Sequence, residues 1–443
     1  MSTQPLMSIS LLLFMTVCPT MNQAASKALQ SSVVLINSHN EINTAKINFY
    51  QQGVLTRSDT HNLTGHGSVV LAMPEAGFNG SASVEAEHPI IAHALSTRAD
   101  NKAIEIYNGS ITASELYFPL FWQRASTEQS SLISLQNPRS DKNIKFTAQF
   151  FDNLGNKMRI LTKTLTPLAR YDLDSNKLFK QQAVALSVHI TADNALSGVE
   201  QLRYARDTAA IEAVLPALAD NQRYWVSPIV KQQDAKTELA WTELTIHNTN
   251  EQPTTITTLF YTDQGVLTAR KRKMIPGLGF VKLNTHSLKP SNFNGYAVIT
   301  GSHLAIQAAN IQNTGLAIAG NAAVNETQAG AQWACTHIST NTQSTRTNQI
   351  HLLNLNKQTE TIQFEQFAPE TGISLAKQDV TLKPKQLKAL ALTATNDTNT
   401  SSIYSSLAMI SGSANAKLIA TVSQETAKQG DASFNCQRLD TKQ

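Results

Sequence analysis

The sequence predicts an all-β protein made of four tandem antiparallel β-sandwich domains, each of about immunoglobulin size. Three observations predict this fold class: a motif that recurs four times, apolar residues that alternate with polar ones at period two, and Gly or Pro turn signals between short segments. No stretch shows a sustained helical period. At 443 residues the chain is long enough for each of four domains to bury a core of its own.

The first element of each copy is a short apolar segment that ends in Asn. A Gly follows each Asn about seventeen residues later. The asparagines lie 100, 111 and 106 residues apart, which is a domain-sized period and too long for a solenoid repeat. The four pairs are Asn37 and Gly53, Asn137 and Gly155, Asn248 and Gly265, and Asn354 and Gly372.

The second element is a strand with one buried face, because apolar and polar residues alternate after the Asn. In the second copy Ile144, Phe146 and Phe150 lie on one face of it. The Gly then supplies the positive φ that a tight hairpin turn needs. A turn at Gly65, Pro167, Pro276 or Pro384 follows, and then a strand of small residues and a last strand or hairpin. An aromatic entry strand opens each later copy: Tyr117–Trp122, Tyr224–Pro228 and Trp333–Cys335.

The predicted domains are residues 27–112, 113–218, 219–330 and 331–443, after a signal peptide at residues 1–26. The cuts fall near Ile111, Ala217 and Gly330, after the last strand of one copy and before the entry strand of the next. The first copy has no aromatic entry strand. Either its sheet is one strand short or another part of the protein fills that place.

The start of the chain predicts export. Residues 1–26 carry no charge and contain the apolar run 9–17, which has the length of a signal-peptide core and is too short to span a bilayer. Small residues at 24–26 offer a cleavage site, although the usual basic start is missing. Cys18 is either lipidated or removed with the leader, and the bulky Val17 before it favours removal. We expect a periplasmic, cell-surface or extracellular protein with no membrane span.

The charge composition argues against nucleic acid as a partner. Lys and Arg exceed Asp and Glu by only 36 to 32, and the net charge of +4 is weak for this length. The one basic run, Arg270–Lys273, follows the Gly265 turn. We interpret it as an edge strand protected by charge, with a polyanion contact as the alternative.

Two segments resemble a known family of β-sandwich domains. Phe78–Val84 followed by Glu87–Ala92, and Phe293–Ile299 followed by Ser302–Ile306, are similar to motifs of the sensory rhodopsin transducer domain and its extracellular relatives. The resemblance extends over most of the chain, once per copy, and weakens away from the first copy. It implies non-enzymatic binding modules, with sugars as a suggested class of ligand.

Standard catalytic motifs are absent from the sequence, so we predict no catalytic residue, cofactor or metal site. Ser374 and Lys377 spell S-x-x-K, but Ser–Lys chemistry needs this spacing on a helix and here it falls in a predicted strand. Five of the eleven histidines lie in the first copy, and we interpret them as ordinary surface residues because their spacing is not diagnostic. They are His39, His61, His66, His88 and His93.

One aromatic residue is a candidate for ligand binding. Trp241 has no counterpart in the other copies, and counting back from Asn248 places it on the strand face opposite Leu244 and Ile246. An outward Trp is a candidate binding residue, with an interdomain contact as the alternative. The remaining tryptophans share one equivalent position, which is typical of packing: Trp122, Trp225 and Trp333.

Two cysteines of the fourth copy are predicted to form a disulfide. Cys335 lies in the entry strand and Cys436 lies near the end of the last strand. The first and last strands of a sandwich often lie close together, and an exported chain meets an oxidising compartment. The alternative is two buried thiols too far apart to bond.

Repetition without catalytic residues predicts an exported, non-catalytic binding or adhesion protein, because tandem weak modules gain avidity. The expected partner is a glycan or a protein of the cell surface or envelope. A second hypothesis is a structural or assembly component whose exposed strand edges pair between chains. A third is an enzyme with a site on its loops.

Overall fold

The computed structural model describes residues 7–11, 29–75, 78, 80–98, 104–109, 112–124, 129–180, 182–206, 209–216, 224–234, 239–288, 293–312, 318–340, 346–392, 403–426 and 432–439. This part of the chain is almost entirely β-strand, with one short α-helix at Ser175–Phe179 and antiparallel pairing throughout. The predicted all-β class with four sandwich copies is confirmed. The predicted leader apart from residues 7–11, Cys18, and the cut sites Ile111 and Ala217 lie outside the described residues.

Eight strands form the first copy, and the later copies repeat the series. Copy 1 contains β1 (Met7–Leu11), β2 (Leu29–Asn37), β3 (Asn43–Gln51), β4 (Val54–Leu63), β5 (Ser68–Ala72), β6 (Ser81–Ala86), β7 (Ile90–Arg98) and β8 (Ile104–Asn108). Copy 2 contains β9 (Thr112–Arg124), β10 (Gln129–Gln136), β11 (Ile144–Phe151), β12 (Lys157–Leu165), β13 (Arg170–Asp174), the helix, β14 (Val184–Arg206) and β15 (Ala209–Pro216).

The other two copies follow the same order. Copy 3 contains β16 (Tyr224–Asp234), β17 (Leu239–Asn248), β18 (Thr254–Thr262), β19 (Leu267–Ile275), β20 (Phe280–Asn284), a 3₁₀ turn (Thr285–Ser287), β21 (Phe293–Thr300), β22 (Leu304–Gln312) and β23 (Ile318–Ala322). A short strand β24 (Val324–Asn325) and a 3₁₀ turn (Glu326–Gln328) come next. Copy 4 contains β25 (Gln332–Thr340), β26 (Arg346–Asn354), β27 (Glu360–Phe367), β28 (Ser374–Leu382), β29 (Leu387–Ala391), β30 (Ile403–Ser411), β31 (Leu418–Thr426), β32 (Ala432–Asn435) and β33 (Gln437–Arg438).

Each copy is a sandwich of two layers of strands. The layers are separate four-stranded sheets in copy 1, and in copy 4 the short strand β33 adds a fifth strand to one of them, beside β25. In copies 2 and 3 strand pairing at one corner joins the two layers into a continuous sheet. One sheet, which we name the entry sheet, has the order β1-β6-β3-β4 in copy 1 and β25-β30-β27-β28 in copy 4. The other, the Asn sheet, has the order β5-β2-β7-β8 in copy 1 and β29-β26-β31-β32 in copy 4. Copies 2 and 3 keep these orders, and in copy 2 the long strand β14 belongs to both sheets.

The entry-strand position of copy 1 is filled by β1. This strand pairs antiparallel with β6, with Met7 opposite Ala86 and Leu11 opposite Ala82. The strands β9, β16 and β25 occupy the same place in the later copies. Residues 9–11, at the start of the apolar run predicted as a signal-peptide core, therefore lie in the first entry sheet.

The Asn sheets are buried on both faces. In β2, Val33 and Leu35 pack in the core of copy 1 with Phe49. Val34 and Ile36, which point the other way, pack in the core of copy 4. Burial on both sides explains why this strand is a continuous apolar run and not an alternating one.

The four copies close into a ring, since each entry sheet packs on the Asn sheet of the next copy and the fourth packs on the first. The outer strands of the Asn sheets that lie farthest along the chain in each copy, β8, β15, β23 and β32, contact one another in the same cyclic order. One hydrogen bond from each contact is Gln136 Nε2 to Ser81 Oγ (2.7 Å), Leu120 N to Gln307 Oε1 (3.1 Å), Tyr296 Oη to Lys385 O (2.9 Å) and Thr336 Oγ1 with His93 Nε2 (2.7 Å).

The hairpin glycines explain how neighbouring copies approach each other. All four have positive φ, as the sequence predicts. A Cβ on Gly155 would lie 1.9 Å from the carbonyl oxygen of Gly277 in the next copy, and one on Gly372 would lie 1.8 Å from that of Gly65. Only glycine therefore satisfies both the turn and the contact.

In copy 4 the predicted cysteine pair is joined. A disulfide links Cys335 in β25 to Cys436, which directly follows β32, and the two Cα atoms are 4.6 Å apart. The bridge ties the two sheets of this sandwich together. The three equivalent tryptophans are buried, in agreement with a packing role: Trp122, Trp225 and Trp333.

Candidate functional site

The most exposed repeated element is the hairpin formed by the third and fourth strands of each copy. We name the four hairpins (residues 43–63, 144–165, 254–275 and 360–382) the rim hairpins. Their second strands β4, β12, β19 and β28 are edge strands of the entry sheets, and most of their side chains are exposed or half-buried. An edge strand presents unpaired backbone donors and acceptors, so it can pair with another chain.

Exposed apolar side chains are concentrated on the rim hairpins. In the part of the chain that the structure describes, every exposed large apolar residue lies on one of these hairpins or directly before it. Four of them sit at the Gly turn itself, one per copy: Val54 (67% exposed), Leu154 (62%), Val266 (59%) and Ile373 (65%). The others are Ile42, Leu55, Met158, Ile160, Leu267, Met274 and Leu375. Isolated exposed apolar residues are ordinary, but recurrence at one turn in every copy is typical of a contact surface.

Two of the rim hairpins are also basic. Strand β19 carries Arg270–Lys273 and is an edge strand, in agreement with the interpretation of this run as a charged edge. Partial burial, and then the charge of Lys273, lower the pKa of Lys271. Strand β12 adds Lys157, Arg159 and Lys163. Charges on an edge strand disfavour indiscriminate pairing, and the exposed apolar side chains of these hairpins include those at the turns.

Trp241 lies on β17, opposite Ile311 of β22. The strand face that carries Trp241 is largely an interdomain face. His247 and Thr245 on this face are buried. Lys282, which pairs with Glu243 of the same face, lies over the ring of Trp122 in copy 2. Trp241 itself is half-buried, and its indole ring makes an edge contact with His286. Part of the indole is accessible, and its role in ligand binding stays a prediction.

The S-x-x-K residues lie in β28, as the sequence predicts. The amine of Lys377 forms an ion pair with Glu365 (3.2 Å), and the hydroxyl of Ser374 also hydrogen-bonds that carboxylate. The β-bulge at Phe367 shifts the register and brings the two side chains to one carboxylate, although strand alternation alone would separate them. A lysine paired with a carboxylate is a poor general base for a serine.

The described residues include no helix long and apolar enough to cross a membrane. Comparison with known proteins finds no matching protein-family model and no matching curated protein. One similar solved structure is the crystal structure of a tetra-tandem repeat in the extending region of a large adhesion protein. It is 11% identical, with a TM-score of 0.11, and the match covers 90% of this chain and 91% of that chain.

Proposed function

We propose that this protein is an exported, non-catalytic binding protein of the adhesive type, and that the rim hairpins are its contact surface. The observation that carries the proposal is the exposed aliphatic side chain at the Gly turn of all four copies. A ring fixes the four turns relative to one another, so that weak contacts at several turns add up to strong attachment.

The chemistry of the turns favours a protein partner over a glycan. Sugars are usually held by stacking on aromatic faces together with directed hydrogen bonds, and the residues exposed at the turns are aliphatic. Aliphatic tips on a free strand edge suit an extended protein segment, which pairs through its backbone and inserts side chains beside the tip. We therefore favour a surface or envelope protein as the partner.

Substitutions at the four turns test the proposal. Val54→Ser, Leu154→Ser, Val266→Ser and Ile373→Ser are made singly and together, and binding of labelled protein to whole cells and isolated envelopes of the producing strain is measured. Each single change should weaken binding a few-fold, and the quadruple variant should lose more than the product of the single effects.

Alanine at exposed polar residues of the same hairpins, away from the turns, serves as the control and should leave binding unchanged: Thr60, Thr164, Thr255 and Gln378. Full binding by the quadruple variant would rule out the rim hairpins. No binding of the unchanged protein to any envelope fraction would rule out adhesion.

A second candidate function, assembly by strand exchange, is favoured by the position of β1. Removal of residues 1–26 on export would take β1 away and open the edge of β6, which could then accept a strand from another chain. Chains of residues 27–443 and 1–443 would be compared by light scattering. Assembly predicts oligomers only from the shorter chain, and a peptide of residues 5–13 should disperse them. A monomeric shorter chain at high concentration would eliminate this candidate.

A further inference from the structure

Three potential metal ligands converge at one end of copy 1. His39 and Glu41 lie in the loop between β2 and β3, and His88 lies in the turn between β6 and β7. One ligand atom from each of the three side chains lies within 4.8 Å of the other two. The two imidazole rings are stacked, with centroids 4.3 Å apart and an angle of 11° between their planes.

Buried amides fix the backbone beneath these ligands. Asn43 is fully buried, donates from Nδ2 to His88 O (3.0 Å) and accepts from His88 N at Oδ1 (3.1 Å). On the other side, the Oδ1 of Asn37 accepts from His39 N (3.0 Å), and its Nδ2 donates to Glu41 O (2.6 Å). The two loops are therefore held in register before any ion binds, which lowers the ordering cost of a metal site.

We propose that His39, Glu41 and His88 form a binding site for one Zn²⁺ ion. Two imidazoles and a carboxylate are a ligand set that zinc uses, and ligands around tetrahedral zinc lie about 3.3 Å apart. The side chains of His39 and His88 are half-buried and that of Glu41 is exposed, so small rotations can draw the ligand atoms together. A tetrahedral ion would have a fourth position for a water molecule or a ligand atom from a partner.

The other three copies carry different chemistry at the same positions. In copy 2 the residues two and four after the Asn are Arg139 and Asp141, whose guanidinium and carboxylate form two hydrogen bonds of 2.7 and 2.6 Å. In copy 2 the guanidinium of Arg139 therefore lies beside the carboxylate of Asp141 and supplies the positive charge there. In copies 3 and 4 both positions hold neutral amides, which are Asn250 and Gln252, and Asn356 and Gln358.

The position that His88 occupies in copy 1 also holds other residue types in copies 3 and 4. It lies two residues before the seventh strand, where copies 3 and 4 have Ser302 and Ala416. In the described chain, the three ligands thus come together in copy 1 alone. Bound zinc would join the two loops of this copy.

The site also lies next to the contact that closes the ring. The backbone N–H of His66 donates to His39 O (2.9 Å), and the imidazole of His66 packs on Phe367 of copy 4, with centroids 4.3 Å apart. An ion that holds the His39 loop in place would therefore support the contact between copies 4 and 1. Because zinc binds the folded form, saturation should raise the melting temperature.

Zinc titration of the full chain, purified without a histidine tag and stripped with a chelator, tests the proposal. We expect one Zn²⁺ per chain by competition with a chromophoric chelator, two imidazole ligands by X-ray absorption, and a higher melting temperature. The His88→Ala variant should bind at least tenfold more weakly.

The double variant His39→Arg with Glu41→Asp installs the pair found in copy 2, so it should fold normally and show neither zinc binding nor a thermal shift. The control His303→Ala alters a histidine of copy 3 and should bind like the unchanged protein. Zinc binding of equal affinity and stoichiometry in the unchanged protein and the double variant would overturn the site. Failure of the unchanged protein to bind at about 100 µM zinc, a concentration between the micromolar and millimolar dissociation constants of weak complexes, would also overturn it.

Discussion

Each Asn that marks the repeat is buried and uses both ends of its amide. In copy 3, Asn248 donates from Nδ2 to Gln252 O (2.8 Å) and Pro276 O (3.0 Å), and its Oδ1 accepts from Asn250 N (3.1 Å). Asn37, Asn137 and Asn354 make equivalent bonds in their own copies. The side chain joins the start of the rim hairpin to its end, which explains why no other residue type occupies this position in any copy.

We predict that Asn248→Asp destabilises copy 3. One carboxylate oxygen still accepts from Asn250 N, but the other replaces Nδ2 and faces the carbonyls of Gln252 and Pro276 without a donor, and the side chain now carries a buried charge. The cost should be on the order of 3 kcal/mol in the free energy of unfolding, measured with urea.

Asn250→Asp is the matched control. The Oδ1 of Asn250 only accepts from Gln252 N, and a carboxylate can do the same. Equal stability of the two variants would show that the amide of Asn248 is not needed as a donor.

The sequence alone could not predict which histidines are neighbours in space. The sequence places His88 close to His93 and His61 close to His66, because neighbours along the chain are all that spacing reveals. The structure instead brings His39 beside His88, which is 49 residues away. Loops that follow adjacent strands meet at one end of a sandwich, but the sequence did not fix which loops these are.

At the scale of the element, the contact between copies 2 and 3 contains buried titratable groups. Glu200 on β14 is fully buried and lies 3.4 Å from Gln307 of β22. Burial raises the pKa of Glu200 to about 8, although hydrogen bonds from Ser131 and Gln307 oppose the shift. On the same interface, burial and then the nearby His189 lower the pKa of His247 to about 3. At pH 7 the carboxyl of Glu200 is therefore mainly protonated, and the imidazole of His247 is neutral.

Glu200→Gln should remove a pH dependence of stability. The raised pKa means that the carboxyl of Glu200 keeps its proton in the folded chain while the unfolded chain loses it. The contribution of Glu200 to the free energy of unfolding is complete below about pH 4.5. It declines as the pH rises to about 8, by at most about 1.4 kcal/mol per pH unit. Urea unfolding at pH 5, 6.5 and 8 measures the effect.

The Gln variant should gain stability relative to the unchanged chain as the pH rises through this range. The contribution of His247 is the same in both proteins, so it cancels from the difference. Glu251→Gln, at an exposed position, is the control. A difference that does not vary with pH would mean that Glu200 is ionised in the folded protein.

At the scale of the whole molecule, the sequence predicts four sandwiches but not their closure into a ring. Period-two alternation and turn residues reveal strands and hairpins because these depend on local chain geometry. The apolar run of β2 indicates burial on both faces, yet it does not show which surface covers the second face. Closure also uses backbone contacts such as Ser68 N to Pro369 O (2.6 Å), which leave no trace in the side-chain pattern.

Closure into a ring predicts a compact particle, and it predicts that alanine at either of two glycines lowers the melting temperature by the same amount. A compact chain of this length has a radius of gyration of about 22 Å, whereas an extended string of four sandwiches would be about twice as large. Small-angle X-ray scattering of the full chain measures the radius of gyration directly.

Gly155→Ala disturbs the contact between copies 2 and 3, and Gly372→Ala disturbs the contact between copies 4 and 1.

In a ring, both substitutions meet a carbonyl oxygen of the neighbouring copy at less than 2 Å, so their effects on the melting temperature should be equal within experimental error. In a string, Gly372 would touch no neighbour, and its replacement would cost only the strain of a positive φ, about 1 kcal/mol. Thr371→Ala, at the exposed residue beside Gly372, controls for changes in the turn itself. Comparable losses of melting temperature in the two glycine variants require contact between copies 4 and 1. An expanded scattering profile of Gly372→Ala, with or without expansion of Gly155→Ala, requires the same contact. A mild Gly372→Ala beside a severe Gly155→Ala would show that the ring is open in solution.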